Sequence, residues 1–291
     1  MRVLVLGVSG MLGSAVFRVL SARDDLEPFG AARSPAVSRF FDDDAAARIE
    51  VGLDVDNGDQ LVRLLTRRRP AVVVNCVGVV KHLAAARDPM HAISINALLP
   101  HRLADLCALC GARLIHISTD CVFSGRQGNY QEDDHPDPQD LYGRSKLLGE
   151  VTDHAHVLTL RTSVIGRELT TRHGLIEWFL SQQGSVRGFS EAIFSGLPTD
   201  ELATVIADRI LPRPDLHGLY HVAGGPVTKH DLLQIVRTVY GCSTPIVRDA
   251  SVKIDRSLNS SRFRHVTGYV APSWPELIEQ MHAFGPLVRR E

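Results

Sequence analysis

Apolar residues along this chain fall into two alternating rhythms. Nearly unbroken aliphatic runs occupy residues 2–6, 26–31, 71–77, 113–117 and 157–161, with a shorter piece at 50–53. Between them, residues 12–21, 60–68, 91–110 and 141–153 repeat apolar positions every three to four residues, the spacing of a helix with one buried face. Strands without polar alternation must be covered on both sides. The alternation therefore predicts an α/β fold with a doubly wound parallel sheet.

Beyond residue 165 the rhythm weakens. Helices are predicted over 174–181, 199–210, 229–240 and 274–282 and a strand over 219–222, with Pro/Gly joints at 212–214 and 224–226. Residues 42–48 read as a solvated loop or a helix start. Two lobes follow: residues 1–165, joined by returning segments near 199–224, and a smaller lobe built mainly of 166–291.

Composition then removes several classes of function. The 291 residues carry 32 Lys+Arg against 33 Asp+Glu, a net charge of −1, so no broad basic surface serves nucleic acid. A hydrophobic share of 44% with a mean hydropathy of zero suits a packed chain. The longest apolar run, 71–80, is broken by Asn75 and falls short of the ~18–20 residues that span a bilayer, so no membrane partner is expected. Three glycines in the N-terminal apolar segment favour a strand and loop over a signal peptide. Five irregularly spaced cysteines read as reduced thiols in a cytoplasm. Cys107 and Cys110 share a helix with no second pair, which points to packing, and the thirteen histidines are scattered, so no metal is expected.

Chemistry enters with Gly7-Val8-Ser9-Gly10-Met11-Leu12-Gly13, placed between the first strand and the first helix. Glycines there permit a tight turn and close approach to a pyrophosphate, and the helix start offers free N–H groups. At the end of the second strand, where a carboxylate would hold a ribose 2′-hydroxyl, the chain has Arg33 and Ser34. That substitution suits a 2′-phosphate, hence NADPH, with NADH as the alternative. Asp54 and Val55 follow the third strand and would meet the adenine; Cys76, Val77 and Gly78 end the fourth and leave room for the cofactor.

Tyr142 and Lys146 stand four residues apart on a predicted helix, hence on one face. A nearby ammonium stabilises a phenolate and lets tyrosine give a proton to a carbonyl oxygen. Upstream, the strand at 113–117 runs out into Ser118, Thr119 and Asp120, at the sheet edge where open α/β folds bind ligands.

With these pieces in order, the chain resembles an extended short-chain dehydrogenase/reductase, and more narrowly the dTDP-4-dehydrorhamnose reductase family. The matching segments are VLGVSGMLG, VVNCVG, SINALLPHRLADLC, HISTDCVFSGRQGNYQEDDHPDPQDLYGRSKLLGE, LRTSVIG, SGLPTDELATVIA, GLYHVAGG and RSLNSSRF. The resemblance implies a Rossmann-type domain with a smaller C-terminal α/β substrate-binding domain. It also implies reduction of the C4 keto group of a nucleotide-diphosphate 4-keto-6-deoxy sugar, in deoxysugar or surface polysaccharide synthesis.

Roles follow from the resemblance at matching positions. Thr119 would hydrogen-bond the substrate carbonyl, Tyr142 would donate the proton, Lys146 would hold the nicotinamide ribose, and Asn96 would support the geometry. Asp120, Cys121, Val122, Phe123, Ser163, Val164 and Pro198 would border the sugar nucleotide, and Lys81 would approach its diphosphate or sugar. Arg172 and Arg187 are further diphosphate candidates. Cys121 stands where the family usually has tyrosine and Val164 where it often has tryptophan, which implies a different sugar or nucleotide. Related dehydratases carry Thr-Asp-Glu here; Cys121 supplies no such base. An epimerase, and a non-catalytic regulatory subunit like the β subunit of methionine adenosyltransferase, are the alternatives. A homodimer is compatible with the resemblance.

Overall fold

The computed structural model describes residues 1–79 and 88–286. Strand β1 (Arg2–Leu6) leads to α1 (Met11–Ser21), β2 (Glu27–Ala32), α2 (Asp43–Ala47), β3 (Ile49–Val51), α3 (Gly58–Arg68) and β4 (Val72–Asn75). Next come α4 (Pro89–Ala92), a π-helical stretch (Ile93–Leu98), α5 (Leu99–Cys110), β5 (Arg113–Ile117), α6 (Leu141–Leu148) and β6 (Val157–Arg161). The second half holds β7 (Val164–Ile165), α7 (Leu175–Leu180), β8 (Val186–Phe194), β9 (Leu197–Pro198), α8 (Thr199–Val205) and β10 (Gly218–His221). It closes with β11 (Val227–Thr228), α9 (Lys229–Val239), β12 (Ile246–Asp255), α10 (Ser261–Thr267) and α11 (Trp274–Phe284).

Seven strands form one sheet in the order β10-β6-β5-β4-β1-β2-β3, every pairing parallel. Its two faces explain the unbroken apolar runs. Val3, Val5, Val74, Ile115 and Leu158 pack against α1 and α8, while Leu4, Leu6, Val73, Leu114 and Val157 pack against α3 and α5. Fully burying each such side chain contributes about 1.5–3 kcal/mol. The chain winds outward in opposite directions from β1 and β4, so a crevice opens at their carboxyl ends. A second sheet, β11-β8-β12, and a two-stranded pair, β7-β9, follow from the C-terminal half.

Several expected elements differ in detail. The helix expected over 91–110 is not continuous: it widens into the π-helical stretch before α5. Pro100 has no N–H to give the Asn96 carbonyl, which removes one α-helical bond at that point. The helix expected to reach 153 stops at Leu148, with Gly149 as its C-cap, pressed against that same carbonyl; a Cβ there would lie 1.9 Å from the Asn96 oxygen. The 42–48 segment is a helix start, with the Asp42 carboxylate accepting from the Ala45 N–H at 2.7 Å. Strands β8 and β12 and helix α10 were not anticipated. β12 exposes most of its residues, and the charges along it dilute any apolar rhythm.

Candidate active site

The glycine loop is shaped by close backbone approach. Gly7 has φ +86°, and both its N–H and that of Val8 donate to the Ala31 carbonyl. A Cβ on Gly13 would stand 2.1 Å from the Gly7 oxygen, so no larger residue fits. Gly10 precedes α1, no side chain caps the helix start, and the first turn holds no acid. Those N–H groups and the positive dipole end suit a phosphate. Ser9, Met11 and Leu12 lie in this turn.

At the tip of β2, Arg33 is exposed and has no hydrogen bond or ion pair to another described residue. Ser34 uses its hydroxyl to accept from the Ala36 N–H at 3.3 Å. Asp54 is exposed and caps its own turn, accepting from the Asp56 N–H at 3.0 Å; Val55 packs beside Val77. Cys76 and Val77 are partly exposed, and Gly78 is exposed, at the crevice. Burial pushes the Cys76 thiol up to about 12, against the pull of Lys146, so it stays protonated. Lys81 lies outside the described residues.

Asn96 sits on the π-helical stretch, 1% exposed. Its Oδ1 accepts from the Val79 N–H at 2.9 Å, and its Nδ2 donates to the Ser145 hydroxyl at 3.1 Å. Ser145 in turn donates to the Tyr142 carbonyl at 2.9 Å. One buried amide thus ties the loop after β4 to α6. Helix α6 starts at Asp140, whose carboxylate accepts from the Gly143 N–H at 2.8 Å. A Cβ on Gly143 would stand 2.3 Å from the Cys121 carbonyl oxygen, which lets α6 press onto the strand-end loop.

Around this contact the expected catalytic residues gather. Thr119 is buried; its hydroxyl donates to Asp120 at 3.1 Å, accepts from the Cys121 N–H at 3.1 Å, and hydrogen-bonds the Tyr142 phenol. Lys146 is 4% exposed and donates from Nζ to the Ile117 carbonyl at 2.6 Å. Burial brings its ammonium down to about 8, while Glu150 and Cys76 pull it upward. Burial holds the phenol of Tyr142 above its ordinary range, Cys121 and Asp120 push the same way, and the hydrogen bond from Thr119 opposes them. In this state the ammonium of Lys146 is turned to the Ile117 carbonyl.

Asp120 is buried as well, and burial raises its carboxyl against the pull of Arg256 and hydrogen bonds with Thr119, Cys121 and Ser163. Arg256 reaches this point from beyond β12, with Nε donating to the Phe123 carbonyl at 2.8 Å. It was not anticipated, because nothing in its spacing separates it from other arginines. Val122 and Phe123 are both 0% exposed, and their side chains pack with Tyr130, Ala223 and Leu258. Val164 and Pro198 lie on the paired strands β7 and β9, the first partly exposed and the second buried. Arg187 pairs with Asp249 at 3.3 Å on the second sheet, and Arg172 is exposed.

Comparison with known proteins bears on this arrangement. A family model described as the RmlD substrate binding domain matches residues 1–283. A dTDP-4-dehydrorhamnose reductase of Streptomyces griseus is 36% identical over 150 residues, 51% of this chain and 43% of its own length. The chain thus spans less than half of that relative. Methionine adenosyltransferase 2 subunit beta of Xenopus laevis is 28% identical over 255 residues, covering 79% of this chain and 70% of its own. A solved structure from Sulfolobus tokodaii, described as a hypothetical dTDP-4-dehydrorhamnose reductase, superposes with a TM-score of 0.77 at 26% identity, covering 94% of this chain and 98% of its own.

Proposed function

The chain belongs to the RmlD substrate binding domain family, and from that premise we propose that it is an NADPH-dependent reductase of the C4 keto group of a nucleotide-diphosphate 4-keto-6-deoxy sugar. The observation that carries this reading is the meeting of Thr119, Tyr142 and Lys146 at one sheet edge. The cradle closed by Gly13 against Gly7 supports a dinucleotide there.

Bound NADPH would supply the hydride. The uncapped start of α1 would hold its diphosphate and Arg33 its 2′-phosphate, with Cys76, Val77 and Gly78 along its path. Thr119 would share a hydrogen bond with the keto oxygen, and the Tyr142 hydroxyl would give that oxygen its proton as the C4 alcohol forms. Lys146, released from the Ile117 carbonyl, would hold the nicotinamide ribose and favour the phenolate that remains. Asp120, Cys121 and Ser163 would face the sugar, and Arg256 would offset the carboxylate beside it. The small side chains of Cys121 and Val164 suit a sugar nucleotide other than dTDP-rhamnose.

We assign residues 1–165, with the strand returned at β10, to cofactor binding and most of the remainder to the sugar nucleotide. Five free thiols suit a reducing cytoplasm. Among the described residues no helix is long and apolar enough to cross a membrane.

The test is direct. Purified protein with NADPH is offered dTDP-, UDP- and GDP-linked 4-keto-6-deoxy sugars while reduced-nicotinamide absorbance is followed. Oxidation that depends on a keto sugar and disappears in Tyr142→Phe supports the reductase. Cofactor binding without turnover on any sugar favours a non-catalytic regulatory subunit; the Xenopus relative is named as a subunit of methionine adenosyltransferase 2. Sugar interconversion without net oxidation means an epimerase.

A further inference from the structure

Below the Tyr142/Lys146 helix lies a carboxylate that the proposed reaction does not use. Gly149 turns the chain out of α6, its N–H donating to the Lys146 carbonyl at 3.1 Å, and delivers Glu150 into the interior. There Oε1 accepts from the Ser118 hydroxyl at 2.7 Å and from Arg161 Nε at 2.9 Å, and Oε2 accepts from Arg161 Nη2 at 2.8 Å. The two charged side chains are 5% and 4% exposed. One carboxylate therefore joins three elements: the helix of Tyr142 and Lys146, the residue before Thr119, and strand β6.

We infer that Glu150 is a positioning residue: through Ser118 and Arg161 it fixes the end of α6 against the strand end that carries Thr119, and so sets where Lys146 stands. The inference rests on the proposed roles of Tyr142 and Lys146. A buried ion pair is a poor route to stability, since hydrophobic replacements of equal volume are often as stable. A charge needed at one point supplies a reason to keep it. Glu150 lies four residues beyond Lys146, past the end of α6, and makes no hydrogen bond to it among the described residues, so any effect on its charge acts across space. The other groups around Lys146 supply less: the Ile117 carbonyl accepts one hydrogen bond, Cys76 remains a neutral thiol, and His116 is buried and held neutral. Arg161 is held by the bidentate pair and directed on to the Glu132 carbonyl at 3.4 Å. Among the described residues, Glu150 is the foremost group that holds the Lys146 ammonium up against its burial.

Lysine is scarce in this chain, at positions 81, 146, 229 and 253 alone, so full-length protein labelled at lysine 13Cε gives a few resolvable signals, with Lys146→Met assigning the one that matters. In wild type this signal titrates near 8. In Glu150→Gln it moves down by about one unit, a tenfold change in the proton equilibrium, and Glu150→Asp restores most of it. Should Glu150→Gln fail to fold, Arg161→Gln tests the same coupling with the opposite sign: it leaves the Glu150 charge and removes the cation that offsets it, so the Lys146 signal moves up. An unmoved Lys146 in either folded variant overturns the inference. Turnover reads the two ideas apart. If no keto sugar is reduced, the reductase reading fails while the Lys146 titration still tests Glu150. If reduction proceeds, its alkaline limb moves to lower pH in Glu150→Gln in step with the signal.

Discussion

Asn96 grips the backbone of Val79 with both ends of its amide, Oδ1 accepting from the N–H at 2.9 Å and Nδ2 donating to the carbonyl at 3.3 Å. The same Nδ2 reaches Ser145 on the helix of Tyr142. In Asn96→Ala the Val79 N–H loses its partner inside the protein, a cost of about 1–3 kcal/mol. Denaturant unfolding should show that loss. Turnover should fall further than stability accounts for, because α6 loses its tie to the loop after β4.

As the proposed 2′-phosphate clamp, Arg33 should decide the nucleotide. Its exposed guanidinium stands alone among the described residues, at the strand end where a ribose is read. Arg33→Ala should lower kcat/KM with NADPH by at least about tenfold, the loss of one charge-assisted contact to a phosphate, and leave kcat/KM with NADH within about twofold. Steady-state kinetics with both cofactors measure the ratio; an unchanged ratio refutes the role.

The buried ammonium of Lys146 makes stability depend on alkaline pH. It titrates near 8 in the folded chain against 10.5 ordinarily. Below about pH 8 it is charged in both states, and the whole cost of burying it is present. Between the two values the unfolded chain holds the proton and the folded chain does not, so the penalty fades as pH rises. The stability gap between Lys146→Met and wild type should therefore move by about 3 kcal/mol in favour of wild type from pH 7 to about pH 11. Urea titrations of the cofactor-free proteins at the two pH values give the difference.

His221 works at the acid end. It is 0% exposed, its Nδ1 lies 3.0 Å from the Tyr130 carbonyl and must donate to it, and Nε2 accepts from Arg161 at 3.4 Å. Burial, aided by Arg161, brings its value from 6.5 to about 3. As pH falls between those values the unfolded chain takes a proton that the folded chain refuses, and stability drops. Glutamine can mimic both hydrogen bonds without titrating. His221→Gln should lose less stability on acidification than wild type, by about 3 kcal/mol at about pH 4, seen as a lower pH midpoint of acid unfolding.

What sequence could convey depended on how each residue acts. The large sheet was readable because Val3, Val5 and Val74 on one face and Leu4, Leu6 and Val73 on the other leave no polar gap. Thr119, Tyr142 and Lys146 were readable because helical spacing and a strand end bring them together. Ser145 and Glu150 were missed although each lies within four residues of Lys146, because their meaning comes from Asn96, Ser118 and Arg161, which are distant in sequence. The packing of Val122 and Phe123 was equally illegible: the short turn over Asp120–Val122 directs both side chains toward Tyr130 and Leu258, which are distant in sequence.

Strand β10 enters the large sheet late, pairing Gly218–His221 alongside β6 some sixty residues after that strand is made. A nascent chain that has just left the ribosome through Ile165 would present β6 as a bare edge, its N–H and C=O groups open to any other extended chain. Arg161 would then lack His221, and the sheet would wait on a slow, long-range closure. No single cut separates the lobes cleanly. A premature stop or proteolytic nick between residues 165 and 218 should yield aggregate in place of a working nucleotide-binding half.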